Sequence, residues 1–132
     1  MPTMEELKNR FAADRFATVA LGAEIREAEP GRAVCTARLR PDHMNANGAP
    51  MGGAIFTLAD FAFAIAVNGF SEKITVSQHA SITYLAPARG LALIAEAKCV
   101  KAGRTTCLYT VDIHDDAGTH VAYVTVNGFT VG

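Results

Sequence analysis

One carboxylate and one pair of glycines stand out as groups that could do chemistry. Gly52 and Gly53 open a long apolar run, and Asp60 is the only charged residue between Met51 and Val67. A carboxylate among apolar residues is either a structural hydrogen-bond acceptor or a poised acid or base. Glycines at the start of a helix let an oxygen atom approach unpaired N–H groups, as in an oxyanion hole. A tight turn into a closely packed helix would explain the same glycines.

The spacing of these groups restricts how they could act together. Gly52 and Asp60 are eight residues apart, which places them about 12 Å apart along the axis of one α-helix. Both therefore cannot act on one carbonyl group within a single helix. If they cooperate, Asp60 must come from a second copy of the helix, running antiparallel across a two-fold axis. A homodimer with composite sites follows only if both groups are catalytic.

The loop before the glycine pair contains further polar candidates. Asn45 or Asn47 could hold a water molecule or a carbonyl oxygen with a side-chain amide, or could form an ordinary Asx turn. His43 could be a general base, but we interpret it as a loop histidine.

Polar residues also follow the apolar run. Ser77 and His79 fall on one face of a predicted strand, which is either solvated or turned towards a site in a dimer. Lys101 and Arg104 flank a turn and could meet phosphate groups or simply lie on the surface. The four histidines lack the spacing of metal ligands, so we assign no metal and no cofactor.

The remaining sequence predicts an α+β fold in one domain spanning residues 1–132. A short helix capped by Thr3 is predicted to end near Asp14. The apolar run is predicted to form a central buried helix. This helix should end at Asn68 and Gly69, which supply a residue in the left-handed conformation. The predicted strands span residues 16–29, 32–40, 75–85, 91–100, 105–115 and 120–129. The simplest arrangement wraps a curved antiparallel sheet around the central helix.

Composition excludes several classes of function. Half of the 132 residues are hydrophobic and the formal net charge is -1, which argues against general binding of nucleic acid or of a membrane surface. Three cysteines without CxxC spacing are typical of a reducing compartment. The first residues lack the apolar core of a signal peptide, so we expect a cytoplasmic protein.

The residues from Asn45 to Gly53, followed by those from Leu58 to Ala64, resemble the hotdog-fold thioesterases of the PaaI-like (phenylacetyl-CoA) and human THEM-type group. The pattern of that group is Asn-x-x-Gly-x-x-His-Gly-Gly with an aspartate seven residues after the second glycine, and the spacing here matches it. Later segments extend the resemblance over nearly the whole chain. Met51 departs from the pattern because it replaces the histidine of the family, and a methionine cannot donate the hydrogen bonds of an imidazole.

This resemblance implies a hotdog fold and dimers, commonly paired into tetramers, with sites across the subunit interface. By position, Asp60 would be the general base or nucleophile of a thioester hydrolase. Gly52 would donate its N–H to the thioester oxygen, with Gly53 beside it. Asn45 would orient the carbonyl or the water, and Ser77, matched across a gap of one residue, would help to hold the attacking water.

The substrate implied by the resemblance is an acyl-CoA with a small or medium acyl group, aromatic groups included. The acyl group would lie against Met51, Phe56 and Phe61, while Lys101 and Arg104 would meet the CoA phosphates. Two alternatives remain open. The replacement at Met51 favours a non-catalytic binder of acyl-CoA or lipid, and the fold itself also admits an enoyl-CoA hydratase or dehydratase.

Overall fold

One long helix packs against a six-stranded antiparallel sheet in a computed structural model that describes residues 1–131. The helical elements are α1 (Met4–Phe11), a π-helical segment (Phe16–Leu21), a 3-10 turn (Pro41–His43) and α2 (Gly52–Asn68). The strands are β1 (Glu24–Glu29), β2 (Arg32–Arg38), β3 (Ile74–Tyr84), β4 (Ala92–Ala102), β5 (Thr106–Asp115) and β6 (His120–Val131). Their spatial order is β1-β2-β4-β5-β6-β3, so β1 and β3 form the edges of the sheet. The predicted α+β arrangement of a sheet on a central helix is confirmed.

The N-terminal helix begins where its capping residues predict. The Thr3 hydroxyl accepts the N–H of Glu6 at 3.1 Å, and the Glu6 carboxylate accepts the N–H of Thr3 at 3.0 Å. This reciprocal pair satisfies two N–H groups that a helix start leaves free. Leu7 is the buried residue of α1, and it places the helix against the core as a lid.

The central helix forms the middle of the core, but its own chain does not cover it on all sides. Most of its apolar side chains are buried, and it packs mainly on β2 and β4. Gly53 and Asp60 are exposed, and Phe56 and Thr57 between them are only half-buried. These four residues define an open stripe along α2. The expectation of a helix wrapped entirely by its own chain, with a buried Asp60, is therefore wrong for the single chain.

The segment Phe16–Leu21 is a π-helix, so the strand predicted over residues 16–29 is correct only in its second half. Gly22 ends the π-helix with a φ of 77°. The Arg40 guanidinium donates to the carbonyl oxygens of Val19 at 3.3 Å and Ala20 at 2.6 Å. The prediction missed this element because distant side chains, not local periodicity, satisfy its terminal carbonyl groups.

Gly69 does not adopt the left-handed conformation that was expected at the end of α2. Its φ is -56°, and its N–H continues the helix by donating to the carbonyl of Ile65 at 2.8 Å. A Cβ atom on Gly69 would lie 2.6 Å from the carbonyl oxygen of Ile65 and 3.3 Å from a methyl group of Leu7 in α1. Glycine therefore suits this position mainly because the backbone of α2 itself leaves no room for a side chain, and α1 adds a second close approach.

An irregularity in β3 separates two residues that were predicted to share a face. Ser77 pairs with Gly128, whereas His79 pairs with the adjacent residue Asn127, so Gln78 forms a bulge. A Cβ atom on Gly128 would lie 3.2 Å from the ring of Phe63 in α2, so this position faces the helix. Residues that pair directly face the same side of a sheet, and Ser77 therefore also lies on the helix side. His79 lies on the outer face, and the prediction that both share one face is wrong.

A buried carboxylate lies at the end of β5, next to the turn that leads to β6. Asp115 is 2% exposed and accepts four backbone N–H groups, from Arg89, Gly90, Ala117 and Thr119, at 2.6 to 3.0 Å. Burial alone would raise the pKa of Asp115, but these hydrogen bonds to the charged form hold the pKa well below its usual value. The side chain therefore joins the β5–β6 turn to the segment before β4.

Within residues 1–131, no helix is both long enough and apolar enough to traverse a lipid bilayer.

Candidate active site

The first turn of α2 presents two backbone N–H groups without a partner. Met51 precedes the helix, and its own N–H donates to the carbonyl oxygen of His43 at 2.8 Å. The N–H groups of Gly52 and Gly53 have no acceptor among the residues that the structure describes. The helix dipole adds positive potential at this end. The turn can therefore stabilise negative charge that develops on an oxygen atom.

His43 supports this turn through both nitrogen atoms of its ring. The side chain is 5% exposed, its Nδ1 accepts the N–H of Arg40 at 3.1 Å, and its Nε2 lies 3.1 Å from the carbonyl oxygen of Ala20. These contacts require the tautomer that carries its proton on Nε2. His43 therefore joins the loop to the π-helical segment and has no free nitrogen with which to act as a general base.

Asn45 combines a structural contact with a place beside the helix start. Its Oδ1 accepts the N–H groups of Asn47 at 2.9 Å and Ala49 at 3.1 Å, which is the Asx turn weighed from the sequence. The residue also lines a cavity of about 380 Å³ together with Gly52 and Tyr84. Its Nδ2 makes no hydrogen bond within the described part of the chain, and so this amide can still donate to a molecule in the cavity.

Asp60 lies in the open stripe of α2 and lines a cavity of about 180 Å³ with Phe56 and Asp14. The side chain is exposed on one side, but the surrounding protein removes enough water to raise the pKa of Asp60 above its usual value. The negative charge of Asp14 raises this pKa further. A carboxylate with a raised pKa is a better base than an ordinary aspartate once it is ionised.

An apolar cleft of about 720 Å³ begins at the helix start and lies between α2 and the π-helical segment. Met51, Phe16 and Val19 line it, and they are 57%, 70% and 56% exposed. Phe16 and Thr57 line both this cleft and the cavity of Asp60. The two spaces therefore adjoin along the open stripe, which gives room for an apolar group beside the free N–H groups.

The two phenylalanines predicted to contact the substrate differ in accessibility. Both line the cavity of Asp60. Phe56 is half-buried, so a ligand in this cavity can reach its ring directly. Phe61 is 2% exposed, and its ring packs edge-on against Phe11 with centroids 6.4 Å apart. Phe61 is therefore mainly a core residue that forms the floor of the cavity.

The remaining predicted residues lie away from the helix start within one chain. Ser77 is exposed on the helix side of β3. Lys101 pairs with Leu108 of β5, which in turn pairs with Asn127 of β6, the partner of His79. Paired residues share a face, so Lys101 lies with His79 on the outer face of the sheet. Arg104 is exposed in the turn between β4 and β5. One chain therefore does not bring the basic residues to the cavities along α2.

Sequence reasoning missed several residues that build this site. Tyr84 donates its hydroxyl to the carbonyl oxygen of Gly52 at 2.9 Å. Phe16 and Val19 form a wall of the apolar cleft because they belong to a helix and not to a strand. The non-alternating run of apolar residues after Arg15 was the available signal against a strand.

Within residues 1–131, no group of three or more histidine, cysteine, aspartate or glutamate side chains is arranged to hold a metal ion.

The sequence matches the family model of the thioesterase superfamily over residues 47–122, which is more than half of the chain. It is 38% identical over 103 residues to a putative esterase of Archaeoglobus fulgidus, covering 77% of this chain and 66% of that protein. It is 30% identical over 115 residues to human acyl-coenzyme A thioesterase 13, covering 86% of this chain and 82% of that protein.

Solved structures agree with these matches. The PaaI protein of Escherichia coli, from the phenylacetic acid degradation operon, superposes with a TM-score of 0.89 at 26% identity, covering 98% of this chain and 94% of that one. A hypothetical thioesterase protein of Streptococcus pneumoniae with coenzyme A superposes with a TM-score of 0.81 at 29% identity, covering 95% of this chain and 97% of that one. The chain therefore belongs to the thioesterase superfamily and is a PaaI-like thioester hydrolase with the hotdog fold.

Proposed function

We propose that this protein hydrolyses acyl-CoA thioesters with a small or medium acyl group, and that aromatic groups such as phenylacetyl are among them. The observation that carries the proposal is the pair of unpaired amides, of Gly52 and Gly53, at the positive end of α2 beside an apolar cleft. Such donors stabilise the oxyanion that forms when a thioester carbonyl is attacked. The relatives named as acyl-CoA thioesterases and the neighbour with bound coenzyme A support the CoA moiety.

Asp60 supplies the carboxylate of the reaction, either by removing a proton from the attacking water or by attacking the carbonyl carbon itself. In the first case the water oxygen bonds to the carbonyl carbon, the carbon–sulfur bond breaks, and the proton passes to the CoA thiolate. In the second, an oxygen of Asp60 bonds to the carbonyl carbon and the carbon–sulfur bond breaks, so that an anhydride forms and the CoA thiolate leaves. Water then hydrolyses the anhydride, which restores the Asp60 carboxylate, releases the acid and supplies the proton that the thiolate takes up. Asn45 orients the carbonyl or the water through its free amide, and Ser77 helps to hold that water.

The assembly that we propose is a homodimer with composite sites, and the family resemblance adds the pairing of such dimers into a dimer of dimers. Gly52 and Asp60 lie eight residues apart on α2, which separates them by about 12 Å along the helix. The open stripe of α2 and the unpaired edge of β3 leave surfaces that a second copy can cover. In the dimer, Asp60 of one chain faces the helix start of the other. Lys101 and Arg104 then meet CoA phosphates that extend beyond one chain.

The chain works in this proposal as a single domain in the cytoplasm. The free state of Cys35, Cys99 and Cys107 supports a reducing compartment. Met51, where the resemblance places a histidine, contributes contact area at the mouth of the cleft and no hydrogen bond.

The proposal is tested by replacing Asp60 with asparagine and following thiol release from benzoyl-CoA and phenylacetyl-CoA with a thiol-trapping dye. Turnover should fall by at least about a hundredfold, because an amide neither takes a proton at neutral pH nor attacks a carbonyl. Asp14→Asn is the matched control, since Asp14 lines the same cavity and is given no step in the reaction.

Asp14→Asn should keep turnover and shift the acid side of its pH profile to lower pH, because the repulsion that raises the pKa of Asp60 is removed. Unchanged turnover in Asp60→Asn would refute the assigned role. Tight binding of acyl-CoA without thiol release by the wild-type protein would identify a binder, and addition of water to an enoyl-CoA would identify a hydratase.

A further inference from the structure

The start of α2 is held by a side chain from the far end of β3. The Tyr84 hydroxyl donates to the carbonyl oxygen of Gly52 at 2.9 Å, across 32 residues of sequence. A Cβ atom added to Gly52 would lie 2.8 Å from the Tyr84 oxygen and 2.9 Å from ring atom Cζ. No atom lies within 4 Å of a Cβ added to Gly53. The space beside Gly52 is thus occupied by Tyr84, and the space beside Gly53 is free.

This hydrogen bond acts on the neighbouring amide through the planarity of the peptide bond. The carbonyl group of Gly52 and the N–H of Gly53 belong to one rigid unit, in which they point in opposite directions. A donor that fixes the carbonyl therefore fixes the direction of that N–H. Hydrogen bonding to the carbonyl also polarises the amide and makes its N–H a stronger donor. Tyr84 also fills the space beside Gly52 that a side chain at this position would occupy.

We propose that Tyr84 is a positioning residue of the oxyanion hole, and that it aims the N–H group of Gly53 from behind the helix start. This inference rests on the proposed thioesterase reaction. It gives Gly52 a second reason to be glycine, because a larger residue would displace Tyr84 and the peptide unit that it holds. The end of β3 also contributes to the reaction, because Tyr84 at this end sets the position of the first turn of α2.

The variant Tyr84→Phe tests the proposal because it removes the hydroxyl and keeps the ring. We expect kcat for phenylacetyl-CoA to fall about two- to tenfold, the range for loss of one neutral hydrogen bond. KM should change by less than about twofold, because an oxyanion donor acts mainly in the transition state. Tyr123→Phe is the matched control. Tyr123 is 38% exposed on β6, pairs with the neighbour of Tyr84, and makes no side-chain hydrogen bond within residues 1–131.

Nuclear magnetic resonance of the unliganded protein supplies a readout that does not depend on turnover. Tyr84→Phe should shift the carbonyl carbon of Gly52 and the amide proton of Gly53, whereas Tyr123→Phe should move neither. Unchanged kcat in Tyr84→Phe, with Asp60→Asn inactive, overturns this inference and leaves the proposed function standing. A loss of kcat without any shift at Gly52 and Gly53 also overturns it. If the wild type releases no thiol, the proposed function fails, and the two chemical shifts alone then decide whether Tyr84 orients the amide of Gly53.

Discussion

A methyl group added at Gly52 and one added at Gly53 should have opposite effects on stability. Neither glycine has a positive φ, so alanine fits the backbone at both, and it should gain about 0.4–1 kcal/mol by restricting the unfolded chain. The two sites differ in what the methyl group meets. At Gly52 it would lie 2.8 Å from the Tyr84 oxygen, whereas at Gly53 it meets nothing within 4 Å.

The size of the difference follows from these distances. A contact of 2.8 Å cannot persist, so Tyr84 must move away. Its displacement loses a hydrogen bond of about 0.5–1.5 kcal/mol, and overpacking adds about 1–3 kcal/mol. After the gain from alanine, Gly52→Ala should lower the free energy of unfolding by about 0.5–4 kcal/mol, equivalent to about 2–16 °C in Tm. Gly53→Ala should raise Tm by about 2–4 °C.

Urea denaturation of both variants at one protein concentration measures this difference, since concentration matters for an oligomer. The double variant Gly52→Ala with Tyr84→Ala completes the test, because removal of the ring should abolish the cost of the methyl group at Gly52. Equal stability of Gly52→Ala and Gly53→Ala would refute the steric reasoning. A penalty at Gly52 that persists without the Tyr84 ring would refute it as well.

Three further predictions concern charged residues. Asp115→Ala should cost at least about 3 kcal/mol in urea denaturation, because four buried N–H groups lose their acceptor. The pKa of Asp115 is lowered in the folded state, so its stabilisation should be full at neutral pH and disappear as pH falls through and below the ordinary aspartate range. The pKa of Asp60 is raised in the folded state, so ionisation of this carboxyl group destabilises the fold. Asp60→Asn should therefore keep or increase Tm at pH 7, and any increase in Tm should be smaller at pH 4. Arg40→Met should speed hydrogen exchange in the π-helical segment and spare α2, because the carbonyl of Val19 loses its donor and that of Ala20 keeps only His43.

The sequence was sufficient for the elements whose signals are local. Thr3 caps α1 as its position predicted, and alternation located the strands after α2. The glycine pair marked the start of α2 for a physical reason, because helix starts leave N–H groups free. The arrangement of a sheet on a buried helix followed from the order of these elements.

The parts that sequence reasoning could not reach depend on contacts between distant residues. Arg40 satisfies the end of the π-helical segment, and this contact overrides the strand that its apolar residues indicated. The bulge at Gln78 moves His79 to the outer face, and alternation alone does not reveal an inserted residue. Tyr84 reaches Gly52 across 32 residues, so its contact with the candidate site could not be read from local spacing.

A complementation experiment with two inactive variants tests most directly whether each site takes groups from two chains. Asp60→Asn lacks the carboxylate and keeps the helix start. Gly52→Pro keeps the carboxylate and lacks the N–H of Gly52, and loss of one oxyanion donor costs about 10²–10³ in kcat. The backbone of Met51 is extended, with a ψ of 140°, so it accepts a following proline at the first position of α2. When the two are co-expressed, half of the dimers should be hybrids with one intact site. Recovery of about a quarter of wild-type turnover is therefore expected for a two-fold dimer with composite sites. If hybrid dimers form but the mixture stays as inactive as the separate variants, each site lies within one chain. Asp60 then does not act opposite the amides of a partner chain.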